Sequence, residues 1–226
     1  MLSRMGQCLL AAMVLTGLAV SMPTGWAADD GEGPEVPELT VTRHEDYYRA
    51  KNREYKLYVS TRLVDMKTDE KPGEYIALIF GVWNRRAKAF YVDRDRIRLL
   101  DRYGAELPMA ELEELRKGYP NLRRDQQHRD FTTFGGRFPK GDSRLVPTNF
   151  FPPPGRALAA TAQVHRHRRV KDLLYFRGAM APGETCTLEV PLRGSDVVLR
   201  IPFESRGAAG DGRRESNLSG SITISP

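Results

Sequence analysis

Hydrophobic and polar residues alternate in short runs over two parts of the chain, and such alternation is typical of β-strands with one buried face. In residues 55–63, hydrophobic side chains and one threonine occupy every second position. A Pro-Gly turn at residues 71–74 follows, and residues 75–83 are then apolar on both faces, which predicts a central strand. Shorter strands are predicted at residues 89–92 and 97–99, each bounded by polar turn residues.

The same pattern returns near the C-terminus, where hydrophobic runs are again separated by turns that contain glycine. The runs are residues 173–176, 186–192, 197–203 and 222–224, and the turns are residues 182–184 and 194–196. Seven or eight short strands, with no helices within these two parts of the chain, predict a mainly β protein. The expected fold is an immunoglobulin-like antiparallel β-sandwich over residues 39–204.

A long segment of different composition, residues 108–171, interrupts the strand pattern and is interpreted as an insertion in the sandwich. It opens with a predicted short helix, in which Met109, Leu112 and Leu115 form an apolar stripe and acidic residues lie near the start. A second helix is predicted over residues 156–164, where alanine and leucine dominate. An insertion of about sixty residues is far longer than an ordinary strand connection, and such segments often carry function.

Basic residues concentrate in the same insertion. The chain has a formal net charge of +6, whereas residues 116–171 contain thirteen Lys and Arg against three Asp and therefore carry +10. Interleaved phenylalanines would give this surface both charge and stacking groups for an anionic partner. The candidate binding residues are the basic Arg123, Arg124, Arg137, Arg166, Arg168, Arg169 and Lys171 and the aromatic Phe134, Phe138, Phe150 and Phe151.

The insertion also allows a second interpretation, in which its phenylalanines pack against the sandwich and its arginines only keep it solvated. In either case we expect a positive patch at residues 166–171, because the acidic residues that would neutralise it lie far away in the sequence. The sequence alone does not distinguish a binding site in the insertion from a solvated surface.

Residues 1–27 have the features of an export signal, with a basic residue ahead of an apolar run at residues 9–20 that is too short to span a bilayer. Small residues precede the expected cleavage before Ala28. A retained membrane anchor is the alternative, although acidic residues follow rather than a basic flank. The protein is thus expected in a periplasm or outside the cell, with a flexible leader at residues 28–38 and a linker and last strand at residues 205–226. Export makes nucleic acid a poor partner.

Motifs for catalysis or metal binding are weak. His165 and His167 can reach one metal only from a strand, and the arginines around them disfavour a cation. Cys186 alternates with apolar residues and has no disulfide partner once Cys8 leaves with the signal, so we expect a buried hydrophobic residue. The chain has no G-x-S-x-G elbow, and the glycines of residues 135–141 lack the spacing of a phosphate loop. We therefore expect no catalytic residue, metal or cofactor.

Several stretches resemble strands of bacterial exported immunoglobulin-like domains. In residues 77–86, ALIFGVWNRR, an apolar strand ends in asparagine at a turn, and in residues 96–104, RIRLLDRYG, a strand ends in a D-x-x-G turn. Residues 174–176, 182–184 and 188–192 are similar to the closing hairpin of those domains. The resemblance covers about half of the chain after the signal and implies the fold and the exported location. No functional residues carry over, because the basic insertion departs from the pattern.

These observations favour a non-enzymatic exported envelope protein that binds an anionic envelope component or an acidic protein surface through the insertion. A structural or assembly subunit that pairs through sheet edges is the alternative, and its association should be largely indifferent to salt. A hydrolase or metal carrier is a third, weaker hypothesis. Asn217 lies in a glycosylation sequon that has meaning only in a eukaryotic source.

Overall fold

The computed structural model of the protein describes residues 36–65, 74–134, 146–206 and 222–223. Of these residues 43% lie in strands and 16% in helices, so the protein is mainly β, as predicted, and its strands form two sheets. Several predictions fall outside the described residues: the export signal, the turn at residues 71–73, Arg137, Phe138, the sequon at Asn217, and Ile224 with most of the C-terminal linker.

The described residues form strands, short α-helices and one 3-10 turn. In chain order these are β1 (Thr40–Arg43), β2 (Tyr48–Lys51), β3 (Tyr55–Ser60), α1 (Arg62–Asp65), β4 (Tyr75–Asn84), β5 (Phe90–Asp93), the 3-10 turn (Arg94–Arg96), β6 (Arg98–Leu100), β7 (Glu106–Leu107), α2 (Leu112–Gly118), α3 (Leu122–Phe131), β8 (Val146–Pro147), β9 (Thr161–Val164), β10 (Arg169–Arg177), β11 (Thr185–Arg193), β12 (Val197–Glu204) and β13 (Ile222–Thr223). The first sheet has the order β13-β1-β2-β3-β4-β10-β8. The second has the order β7-β6-β11-β5-β9, with β12 also paired to β11.

The antiparallel pair of β4 and β10 lies at the centre of the first sheet. Nine consecutive residue pairs join the two strands, beginning with Trp83 opposite Arg169. Every residue of β4 except Trp83 is buried, which confirms the predicted central strand. β10 begins four residues before the apolar run predicted from residue 173. The run is longer because Lys171 and Asp172, although charged, are buried strand residues.

β11 organises the second sheet. It pairs with β12 along its length, and on its other side with β6 and then with β5. Cys186, Leu188 and Leu199 are buried, as the alternation predicts, and burial raises the pKa of the Cys186 thiol to about 12. Gly194 takes a φ of +90° in the predicted turn between β11 and β12. Side chains from both sheets join in one hydrophobic cluster.

Two helices are joined to β10 by ion pairs, α2 through Glu114 and Arg177 and α3 through Arg129 and Asp172, and the sequence predicts only α2. α2 begins at Leu112 rather than near Pro108, because Met109 first forms an isolated bridge with Phe176 on β10. α3 is absent from the prediction. Its only buried apolar residue is Leu122, so the helix has no hydrophobic stripe from which periodicity could reveal it.

The helix predicted over residues 156–164 is wrong. Thr161–Val164 forms β9, which pairs antiparallel with β5 and alternates between exposed and buried side chains. Pairing with β5 overrides the helical propensity of the alanines that precede it. The strand predicted over residues 55–63 ends at Ser60, where the carbonyl of Thr61 accepts the first hydrogen bonds of α1.

Buried charges hold α3 against β10. The Asp172 carboxylate is fully buried and accepts hydrogen bonds from the Arg129 guanidinium at 3.0 Å and the Thr148 hydroxyl at 2.6 Å. It accepts another from the backbone N–H of Phe150 at 2.8 Å. The buried Lys171 ammonium donates to three backbone carbonyls at the C-terminal end of α3, at 2.5 to 2.9 Å. Positive charge is favourable there, because the carbonyls at the C-terminal end of a helix carry the negative end of its dipole. Lys171 is therefore a structural residue and not part of a surface patch.

Replacing Asp172 with alanine should destabilise the fold by about 3–5 kcal/mol. Arg129 would lose its buried partner, and the Thr148 hydroxyl and the Phe150 N–H would lose their acceptor. Chemical denaturation followed by circular dichroism measures the free energy of unfolding. Glu106→Ala, which removes an exposed ion pair with an arginine, is the control and should change that free energy by less than about 1 kcal/mol. Equal effects of the two substitutions would contradict this role for Asp172.

Candidate functional site

One row of residues crosses four neighbouring strands of the first sheet and contains three cations and a tryptophan. Lys51 of β2 lies opposite Lys56 of β3, Lys56 opposite Trp83 of β4, and Trp83 opposite Arg169 of β10. Directly opposed residues of a sheet present their side chains on the same face. With strands about 4.8 Å apart, the row is about 14 Å long. We call these four residues the cationic row.

The indole of Trp83 holds cations close to its ring. Lys56 Nζ lies 4.0 Å and Arg169 Cζ 3.9 Å from the ring centroid, which is well within the range of a cation–π interaction. Arg85, just beyond the end of β4, places its guanidinium carbon 5.7 Å from the same centroid. The ring therefore fixes the positions of cations that would otherwise repel one another.

Positive charge accumulates around Lys56. Burial and four neighbouring cations lower the pKa of its ammonium to about 8, and these neighbours are, in decreasing order of effect, Arg85, Arg49, Arg169 and Lys51. Neither Lys56 nor Arg85, Arg49 or Lys51 forms an ion pair with any described residue. Like charges opposite one another on a sheet destabilise it. The arrangement thus lowers the stability of the fold and favours an anion at this surface.

Asn84, the last residue of β4, connects three segments beside the cationic row. Its buried side-chain amide donates hydrogen bonds to the carbonyls of Lys88 and Val164, both at 2.9 Å. Its backbone carbonyl accepts a hydrogen bond from the N–H of His167 at 2.8 Å. These bonds fix the basic turn at residues 165–168 next to the end of the row.

Aromatic rings border the cationic row on one side. Gly81 lies two residues before Trp83, and the Phe134 ring covers it so closely that a β-carbon at Gly81 would lie 2.8 Å from Phe134 Cε2. Phe134 also stacks on Tyr58, with ring centroids 5.1 Å apart, and meets Tyr47 edge-on at 5.6 Å. Glycine at this position is therefore what allows Phe134 to pack on the sheet.

The three predicted aromatic residues that the structure describes are not displayed to solvent. Phe150 and Phe151 are fully buried and Phe134 is 7% exposed, so all three pack in the hydrophobic core. The expectation of an aromatic binding surface is corrected for these residues. Their burial follows from contacts with other rings, such as the stacking of Phe150 on Phe80 at 5.9 Å.

The predicted basic residues separate into different places. Arg123 is exposed and Arg124 half-buried on α3, and Arg124 lies 3.9 Å from the buried Asp125. Arg166 and Arg168 are exposed in the turn that Asn84 fixes beside the cationic row. Arg169 is itself a member of the cationic row. Of the predicted basic residues, Arg169 therefore lies in the row, and Arg166 and Arg168 lie next to it in the chain.

Four cations and one aromatic residue of the site were not predicted from the sequence, and they are Arg49, Lys51, Lys56, Trp83 and Arg85. They lie in or beside β2, β3 and β4, whereas Arg169 follows 84 residues after the last of them. Only the register of the sheet brings them together. The available sequence signal was the polar face of the strand at residues 55–60, to which Lys56 belongs.

The histidines of the basic turn lie in solvent. His165 and His167 are exposed, and His167 has a φ of +59°. Within the described ranges, no group of three or more His, Cys, Asp or Glu is placed to hold a metal ion. In the same ranges, no helix is both long and apolar enough to cross a membrane. Comparison with known proteins gave no matching protein-family model, curated protein or solved structure.

We expect Lys56 to titrate with a pKa of about 8. Arg85→Gln removes the neighbouring charge with the largest effect, so it should raise the pKa of Lys56 toward the ordinary lysine value of about 10.4. NMR titration of the lysine side chains measures both values. Arg102→Gln, which changes an exposed arginine in a distant turn, should leave the pKa of Lys56 unchanged. A pKa near 10 for Lys56 in the unsubstituted protein would contradict the crowding of charge described above.

Proposed function

We propose that the protein is a non-enzymatic, exported binding protein of the cell envelope and that its cationic row binds an extended anionic chain. The observation that carries the proposal is the row itself, in which Lys51, Lys56 and Arg169 flank Trp83 and the first two have no described acidic partner. The exposed basic turn at residues 165–168 adjoins the row and extends the positive surface.

An anionic partner supplies the negative charge that no described residue offers Lys56 in an ion pair. Lys56 and Arg169 are already held in position by Trp83, so these two side chains lose little freedom on binding. A bound anion favours the protonated ammonium and raises the pKa of Lys56 above its value of about 8 in the unbound protein. Affinity should therefore be highest below pH 8 and fall as the pH rises through that value.

The shape of the row favours a chain over a compact anion. Its cations are spread over about 14 Å on the face of a sheet, perpendicular to the strands. A polymer with regularly spaced carboxylate, sulfate or phosphate groups can meet several of them at once. Among exported partners, an acidic envelope polysaccharide fits this description best, and an acidic protein surface offers the same charges in a less extended form.

Two other parts of the proposal come from sequence and topology. The export signal at residues 1–27 is inferred from its basic start, its short apolar run and its small residues before Ala28. The immunoglobulin-like sandwich is supported by the antiparallel pairing of nearly all strands and by the hydrophobic cluster that side chains of both sheets share.

Binding to dextran sulfate, used as a probe polyanion, should weaken steeply between 50 and 300 mM NaCl, because charge dominates the contact. The double variant Lys56→Gln/Arg169→Gln should bind at least about tenfold more weakly at low salt, since two of the contacting charges are lost. Isothermal titration calorimetry measures both effects, with uncharged dextran as the probe control.

The matched control is Arg98→Gln/Arg200→Gln, which lowers the net charge by the same amount at two exposed positions of the second sheet. It should retain most of the affinity of the unsubstituted protein. Equal losses in the two double variants would show that net charge alone matters and would exclude the cationic row as the site. Self-association that is insensitive to salt, without polyanion binding, would instead favour a structural subunit that pairs through sheet edges.

A further inference from the structure

A second concave surface lies on the helical side of the molecule. It is a groove of about 730 Å³ between the α2–α3 connection, the first half of α3 and the loop at residues 153–155. Its apolar lining includes Tyr119, Leu122 and Pro153. Pockets of about 300–1,000 Å³ with mostly apolar walls are typical of small-molecule sites. We call this surface the helix groove.

A buried amide in the helix groove has an unsatisfied donor. Gln126 is only 8% exposed and lines the groove, and its Nε2 is buried without a hydrogen-bond partner. It lies one helical turn after Leu122 on α3, so both side chains point to the same side of the helix. Buried donors are almost always paired in folded proteins. A rotation of the Gln126 side chain toward the groove would expose this donor, and an acceptor bound there would satisfy it.

The polar rim of the groove is positive. Arg116 of α2 and Arg123 of α3 both line it and both are exposed, and no acidic residue is among its lining residues. Arg123 precedes Gln126 by three residues, which places the two on neighbouring positions of one helix face. A ligand acceptor that meets Gln126 would therefore lie near a guanidinium, and the favoured acceptor is an anionic oxygen.

The walls of the groove are held by packing and hydrogen bonds. The Tyr119 hydroxyl donates a hydrogen bond to Asp125 at 2.5 Å, and its ring packs edge-on against Tyr75 and Tyr175 at 5.7 and 5.5 Å. The opposite wall is built of proline residues, whose φ is fixed by their ring. A ligand consequently finds an apolar surface that is already formed, and little ordering opposes its binding.

We infer that the helix groove binds a monocarboxylate with an apolar body. Its carboxylate accepts a hydrogen bond from the Gln126 amide and is balanced by Arg116 and Arg123, and its body lies on Tyr119 and Leu122. The helix groove shares no residue with the cationic row. The groove would bind a small amphipathic acid, whereas the row would bind a polymer. The two sites are therefore independent, and failure of one leaves the other standing.

The probes that test this inference are 3-phenylpropanoate and its neutral isostere 3-phenylpropanamide, titrated into the protein and followed by NMR chemical shifts. The acid should bind at least about tenfold more tightly than the amide, because a hydrogen bond to a charged group is the stronger one. Arg123→Gln should weaken binding of the acid by about the same factor and leave the amide unaffected. Arg102→Gln is the control and should change neither.

Gln126→Glu keeps the shape of the side chain but adds a negative charge, so it should abolish binding of the acid while the amide still binds. Unchanged circular dichroism and melting temperature in this variant show that the loss is local. Lys56→Gln/Arg169→Gln should leave binding of the acid intact. Equal affinities for acid and amide, no binding of either probe, or acid binding that survives Gln126→Glu would each overturn the inference.

Discussion

The register of β4 with β10 determines where each charge of β10 lies. Alternate residues of a strand face opposite sides of a sheet, so Arg169 and Lys171 share the face of Trp83 and Gly81, while Asp172 points to the other face. A shift of one residue would exchange the two faces and place the Asp172 carboxylate where the cations now lie. The anchoring of α3 and the cationic row both depend on this one alignment.

Charges in the interior and at the surface are treated differently by the fold. Both buried charges are hydrogen-bonded, that of Asp172 to Arg129 and neighbouring donors and that of Lys171 to carbonyls at the C-terminal end of α3. At the surface, burial lowers the pKa of Lys56, and the cations that surround it lower the pKa further. The fold thus surrounds these two buried charges with hydrogen-bonding groups and leaves like charges together on one face, which the proposed anionic partner would balance.

The sequence predicted the elements that alternation controls and missed those that polar contacts control. β4, β11 and β12 follow from the hydrophobic pattern and are confirmed. α3 was missed because the face that it buries is made of Asp125, Gln126 and Arg129. The cationic row was missed for a different reason. Charge counts along the chain cannot show that Lys56 and Arg169 will lie on the two strands that flank Trp83. Only the pairing of strands distant in sequence creates that surface.

Quenching of Trp83 fluorescence by ions of opposite sign measures the field at the cationic row most directly. With Trp26 changed to phenylalanine, Trp83 is the single tryptophan of the chain. Iodide should quench it several times more strongly than caesium, each relative to neutral acrylamide, and the difference should disappear at high ionic strength. Equal quenching by iodide and caesium at low ionic strength would contradict the central claim, because Trp83 would then lie in no net positive field.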